Sequence, residues 1–249
     1  MGAEITAAGV RRVRRVIGMA DPSVLDNPAL SSLTGPHAHL ALGQAPVLRY
    51  PADVSPFVAL PDDPDAAAWR ALARLLAPGE IAAVPGLSAS PPPDWVEAMR
   101  LPGVQMVDDG MDAVPDEEAV RLGAADVPEM LDLVERTRPG PFMPRTVELG
   151  TYLGIRRDGE LIAMAGERMH MPGYTEVSAV CTDARFRGQG LGTRLVRAVA
   201  VGIRARGEVP ILHAAASNTG AIRLYESLGF VIRRTIDFVG VRPADRLTG

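Results

Sequence analysis

The chain contains no lysine; all 26 of its basic residues are arginine. That absence excludes side-chain Schiff-base chemistry, which needs a lysine amine, and it excludes a Walker-type phosphate loop, whose last glycine is followed by a lysine that reaches the phosphates. The wholesale use of arginine is read as the coding bias of a GC-rich bacterial genome. Cysteine is nearly absent too, and the single Cys181 has no partner for an internal disulfide. Four scattered histidines give no metal-ligand spacing, so no metal is expected. Neither sign of charge dominates, at a net −4, and no stretch interleaves basic with aromatic side chains, so nucleic acid is not an expected partner. No apolar run reaches membrane-spanning length and the first residues lack the apolar core of a secretory signal, which predicts a cytoplasmic protein with no membrane partner.

What is present fits a packed protein with many loops: 47% hydrophobic and 22% charged residues, with 22 prolines and 25 glycines, over 249 residues. That length suits one large or two modest domains, and two are expected, 1–112 and 113–249, because the acidic run from Asp108 to Glu118 separates two stretches of regular pattern. In the first half, short apolar runs at 37–42, 46–50, 57–60, 80–84 and 104–107 predict strands, while Asp65 to Leu76 and Asp94 to Arg100 predict helices. The basic cluster of Arg11, Arg12, Arg14 and Arg15 is read as solvated surface.

The second half carries the stronger signals. Asp126 is placed to cap an amphipathic helix bearing Met130, Leu131, Leu133 and Val134, which Arg138-Pro139-Gly140-Pro141 ends. Tyr152 to Arg156 and Glu160 to His170 predict two strands joined by an Asp158-Gly159 hairpin turn. Thr175 to Thr182 alternates as a strand and runs into Arg187-Gly188-Gln189-Gly190-Leu191-Gly192-Thr193, a glycine turn feeding a helix whose Leu191, Leu195 and Val199 share one face. Unpaired N–H groups, the positive end of the helix dipole and glycines without Cβ atoms together make a cradle for a pyrophosphate. A dinucleotide fingerprint is disfavoured, because Thr193 stands where its third glycine or alanine belongs and the motif lies far from an early βαβ unit.

The remaining pattern, Arg187-x-x-Gly190-x-Gly192, resembles the acyl-CoA loop of the GCN5-related N-acetyltransferases (GNAT). Its flanks follow the order of that family over residues 120–241: the strand before the loop, another at Pro210 to Ala215, then Asn218, Ala221, Tyr225, Gly229 and Phe230 in the register of the last family helix. The two halves resemble the FR47-like and glycine N-acyltransferase-like branch, which pairs a degenerate first half with a catalytic second half. The resemblance implies an α/β (α+β) GNAT fold, a mixed central β-sheet flanked by helices, with a degenerate GNAT-like domain at the N-terminus; an unrelated cap is the alternative for that first half. It implies an acyl-CoA-dependent N-acyltransferase that moves acetyl from acetyl-CoA to the amine of a small molecule or peptide by direct attack. The assembly is open between a homodimer, which is preferred, and a monomer in which the first half stands in for a second subunit. A module that binds acyl-CoA without catalysis is the alternative, and a nicotinamide or flavin oxidoreductase rests on the glycines alone.

The same resemblance assigns roles. Glu176 stands where several family members carry a general base, and Tyr225 where the family places the acid that protonates the coenzyme sulfur. Val180, Cys181 and Thr182 would bind the pantetheine arm through their backbone; Arg187 and the amides of Gly188, Gln189, Gly190, Leu191, Gly192 and Thr193 would hold the pyrophosphate. Asn218 would cap the last helix and bond the coenzyme or a water. Cys181 has no adjacent base and is not expected to act as a nucleophile, and His213 is expected to be structural. The loop from Pro139 to Arg145 would wall the acceptor site.

Overall fold

The computed structural model describes residues 21–244, so the Arg11 to Arg15 cluster lies outside the described residues. In chain order the elements are α1 (Pro28–Leu33), β1 (Leu42–Gln44), β2 (Val47–Arg49), β3 (Val58–Ala59), α2 (Ala66–Leu75), β4 (Ala82–Pro85), β5 (Trp95–Asp108) and β6 (Val120–Leu122). They continue with α3 (Val127–Thr137), β7 (Tyr152–Arg157), β8 (Glu160–Met171), β9 (Tyr174–Thr182), α4 (Leu191–Ala205), β10 (Val209–Ala215), α5 (Thr219–Leu228) and β11 (Phe230–Pro243). Strands β1, β2 and β3 form a small sheet, and the rest form one eight-stranded sheet in the order β4-β11-β5-β10-β9-β8-β7-β6. Within the large sheet β9 and β10 run parallel and every other neighbouring pair runs antiparallel.

Several elements start and stop for local reasons visible in the sequence. Asp65 begins α2 by accepting from the Ala68 N–H, and Asn218 begins α5 by accepting from that of Ala221. The β7–β8 hairpin turns through Asp158 and Gly159, both at positive φ (50° and 84°), the conformation a tight two-residue turn requires. Asp126 departs from expectation: α3 starts at Val127 without a side-chain cap, because the Asp126 carboxylate accepts from the Gly123 N–H and pairs with Arg156 instead.

Two expected elements are replaced by tertiary context. Residues 38–40 form a turn of 3₁₀-helix rather than a strand, held beside a buried His37 that bonds Ser32, Tyr50 and the Leu149 carbonyl. Asp94 to Arg100 is not a helix but the outer end of β5, which pairs with β11 from Asp108↔Phe230 to Trp95↔Pro243. A long partner strand satisfies every second main-chain group there, which outweighs the helix preference of Glu97, Ala98 and Met99. Strand β5 lies between β10 and β11, so residues on both sides of position 112 contribute to the large sheet.

Strand alternation gives the sheet two buried faces. Met106, Val177 and Leu212 pack with Leu195, Val196, Val199 and Ile203 of α4, while Val107, Tyr174 and Ile211 pack under Leu25, Leu33, Tyr50 and Phe57 of the N-terminal segment. Each such side chain contributes about 1.5–3 kcal/mol of burial. No helix among the described residues is long and apolar enough to cross a membrane.

Candidate active site

Strands β9 and β10 stay together for only three pairs, Val209↔Tyr174, Pro210↔Thr175 and Ile211↔Glu176. Beyond that seam β9 follows β8 and β10 follows β5, so one edge of β9 from Val177 to Thr182 has no strand beside it. A bulge sharpens the divergence: between Met164↔Cys181 and Gly166↔Ser178, one residue of β8 faces two of β9, and Ala179 sits at φ 53°. A positive φ at a residue with a Cβ is strained, and it persists here where the strand edge turns toward open space. That space is a cleft of about 460 Å³ lined by β9 from Val177 to Thr182, by His213, Ala214 and Ala215 of β10, and by Asn218, Ala221 and Tyr225 around α5.

The glycine turn closes one end. Gly190, at φ 73°, is the residue before α4, and the first amide of that helix to find an internal partner is that of Arg194, bonded to the Gly190 carbonyl. The N–H groups of Leu191, Gly192 and Thr193 precede it and point out of the helix start. A Cβ added at Gly188 or Gly190 would meet no atom within 4 Å, and one at Gly192 would make ordinary contact with Val180 at 3.6 Å and Thr182 at 3.9 Å, so the turn leaves room for a group of its own. Arg187 lines the cleft beside it, its guanidinium making one long bond of 3.4 Å to the Thr182 carbonyl. The turn thus presents free helix-start amides and an arginine, with the extended edge of β9 leading away from it.

At the seam lies a buried polar chain. Gln105 accepts from Arg233 at Oε1 (2.9 Å) and donates from Nε2 to the Leu25 carbonyl (2.9 Å), which fixes its amide so that Nε2 also donates to His213 Nε2 (3.1 Å). The His213 proton therefore sits on Nδ1, from which it donates to Glu176 Oε1 (2.7 Å). Glu176 is fully buried and also accepts from Arg168, Nε to Oε2 at 2.9 Å and Nη2 to Oε1 at 2.5 Å. Burial acts to raise the Glu176 carboxyl, but the Arg168 guanidinium and His213 outweigh it and hold the group well below the usual carboxylate range. That shift is opposite to the one a general base needs, and Glu176 lies beneath the cleft rather than on its lining. Glu176 holds Arg168 and His213 through these contacts. His213 has both ring nitrogens engaged and also lines the cleft.

Tyr225 stands on the cleft with a hydroxyl that bonds to no group among the described residues, and burial pushes its phenol up to about 12. Burial also pushes the Cys181 thiol up to about 11, so it holds no thiolate at neutral pH. Asn218 caps α5 through Oδ1 (3.1 Å) and lines the cleft as well. The opposite wall is Thr137, Arg138, Pro139 and Gly140, where Arg138 ends α3 in the left-handed conformation at φ 50°. Arg145, at the far end of the expected wall, turns away to Asp53 and Glu148.

The structure thus brings Tyr225, Val180, Cys181, Thr182, Arg187 and Asn218 to one cleft, with Gly188 to Thr193 following Arg187 into the start of α4 and Glu176 absent from the lining. Sequence reasoning missed Arg168, Gln105 and Ala179. A charged pair, Glu167-Arg168, inside the apolar run of β8 was the available signal for the first; nothing in the sequence marks Ala179 for a positive φ.

Residues 152–239 match the FR47-like protein family. The chain is similar to the solved structure of a GNAT-family protein from Novosphingobium aromaticivorans, with 41% identity, a TM-score of 0.82, and coverage of 90% of this chain and 100% of that one. It is 33% identical over 162 residues to the mycothiol acetyltransferase of Thermobispora bispora, covering 59% of this chain, and 37% identical over 82 residues to the N-alpha-acetyltransferase RimI of Mycobacterium tuberculosis, covering 32%. The chain spans about half the length of each of these two curated relatives, 51% in both cases.

Proposed function

The chain belongs to the GNAT family, and from that premise we propose that it is an N-acetyltransferase carrying acetyl from acetyl-CoA to a primary amine by direct attack. The observation that supports this most is the conjunction, on one cleft, of the glycine turn at the start of α4, the unpaired edge of β9 and the free hydroxyl of Tyr225. Acetyl-CoA supplies an activated thioester; the empty surroundings of Gly188 and Gly190 fit its phosphates.

The amides of Gly188 to Thr193 and the Arg187 guanidinium would hold the phosphates, and the free backbone edge at Val180, Cys181 and Thr182 would bond the pantetheine arm and orient the thioester carbonyl. Backbone donors need no reorganisation when charge develops on that oxygen. Tyr225 holds its proton through neutral pH and would donate it toward the leaving sulfur; the burial that raises the phenol raises a thiol beside it in the same direction. Among the described residues no carboxylate lines the cleft, whereas Arg138, Arg168 and Arg187 do. Cationic surroundings disfavour an ammonium, so the acceptor amine sheds its proton to water on entry without a carboxylate base.

Calorimetric titration tests the reading. Saturable binding of acetyl-CoA without binding of NAD, followed by amine-dependent release of free thiol, is the expected result. Binding with no thiol release against any amine would favour a non-catalytic acyl-CoA-binding module. Gly190→Glu sets a carboxylate and a strained backbone into the phosphate seat, and measurable acetyl-CoA binding should disappear. Micromolar affinity in that variant would count against the glycine turn as the seat.

A further inference from the structure

Strand β5 is an inner strand for only part of its length. Residues 103–107 have β10 on one side and β11 on the other, but from Pro102 back to Trp95 only β11 continues. The last bond on the open side runs from the Ala216 N–H to the Pro102 carbonyl. Main-chain groups alternate sides along a strand, so those of Arg100, two residues back, point to the same side, where no strand stands among the described residues. Glu97 to Pro102 are exposed in succession.

An open strand edge is a template for another strand. This one carries a bulge: Met99 faces Gly240 and Glu97 faces Val241, which leaves Ala98 as the extra residue. The bulge sorts the side chains. Glu97 and Arg100 come to one face, where two bonds of 2.9 and 2.8 Å join them. Met99 lies on the other face, over the bare Gly240 and beside Ile81, and Leu101 follows two residues on. Val96, next to Glu97, alternates to that second face. Met99, Ile81 and Leu101 are 50%, 48% and 39% exposed, an apolar strip on a surface that usually hides such residues.

The edge is complementary to itself. Two copies laid antiparallel about an axis between Ala98 and Met99 oppose Glu97 with the partner's Arg100 and Val96 with the partner's Leu101. The charged pair falls on one face and the apolar pair on the other, as antiparallel pairing requires, and opposite charges meet on both sides of the axis. A regular strand laid here would lose register at the bulge, whereas an identical strand brings the same irregularity to the same place. Pro102, with no N–H and its carbonyl already used, ends the pairing.

We propose that this edge binds a second copy of the chain: β5 from Val96 to Leu101 pairs with the same segment of its partner across a two-fold axis, joining the two sheets. Leu101 also lines the cleft, so the partner's Val96 stands beside that lining and each chain adds to the wall of the other's site.

Sedimentation velocity of the full chain over a concentration series should show a dimer that dissociates on dilution. Arg100→Glu sets carboxylates against each other across the axis, and Glu97→Arg sets guanidiniums against each other. Each variant alone should dimerise at least about tenfold more weakly. Mixed together they should form a one-to-one dimer, because every opposed pair then has opposite signs again. A chain that is monomeric at every concentration overturns the proposal. So does a dimer that neither substitution weakens, or a weakening that mixing does not repair. If either variant fails to fold, amide hydrogen exchange on the natural chain decides: protection at Arg100 that rises with concentration supports the pairing, and exchange there independent of concentration overturns it.

Discussion

Tyr225→Phe should lower kcat by about 10²- to 10⁴-fold while acetyl-CoA affinity stays within about threefold, the signature of a lost proton donor rather than a lost binding contact. The substitution is well suited to the site. The Tyr225 ring packs edge-on to Phe230 at 6.1 Å and is 9% exposed, whereas its hydroxyl bonds to nothing among the described residues, so Phe keeps the packing and removes only the proton. Stability should therefore change little, since no buried partner is orphaned. Stopped-flow thiol release and a calorimetric titration of the variant separate the two effects. A turnover loss under threefold would remove Tyr225 from the chemistry.

Glu176→Leu should cost about 3–5 kcal/mol of stability, because it leaves the Arg168 guanidinium buried without its counter-charge and the His213 Nδ1–H without an acceptor. Urea unfolding at neutral pH measures it, and a loss below about 1 kcal/mol would show that solvent or a neighbour replaces the carboxylate. Adding Arg168→Met to Glu176→Leu should recover most of the loss, since two matched apolar residues avoid the uncompensated charge. The pH dependence follows from the depressed carboxyl. Its folded value lies below the ordinary 4.5, so the stability it contributes is complete above that value and declines as the pH falls below it toward the folded one. The Leu variant should lack that part of the acid limb. If Glu176 were the catalytic base, Glu176→Gln would remove the enzyme group behind the rise of kcat/KM with pH; the site described here predicts that the rise persists and follows the acceptor amine instead.

The glycine turn was legible because its geometry is local. Glycines, a helix start and an adjacent arginine must be neighbours in sequence to be neighbours in space, and the same holds for the Asp158-Gly159 turn and the Asn218 cap. The seam was legible only in part. That β9 runs into the turn can be read from its alternation, but its parting from β10 after Ile211↔Glu176 depends on β5 holding β10 from the other side, and β5 was taken for a helix over its first residues. The surroundings of Glu176 are hidden from the sequence for a related reason. A carboxylate on a strand looks the same whether its neighbours raise or depress it, and the two that decide, Arg168 on β8 and His213 on β10, are set by register rather than spacing.

The placement of β5 between β10 and β11 also governs the order in which this chain can be completed as it leaves the ribosome. Trp95 must wait for Pro243, and Asp108 for Phe230, so β5 lacks its full pairing until residues 209–243 have emerged. Contacts of such long sequence separation form slowly and late. The cleft, whose width is fixed by the grip of β5 on β10, is accordingly among the last features to appear, and a chain that stops short of β11 cannot assemble it.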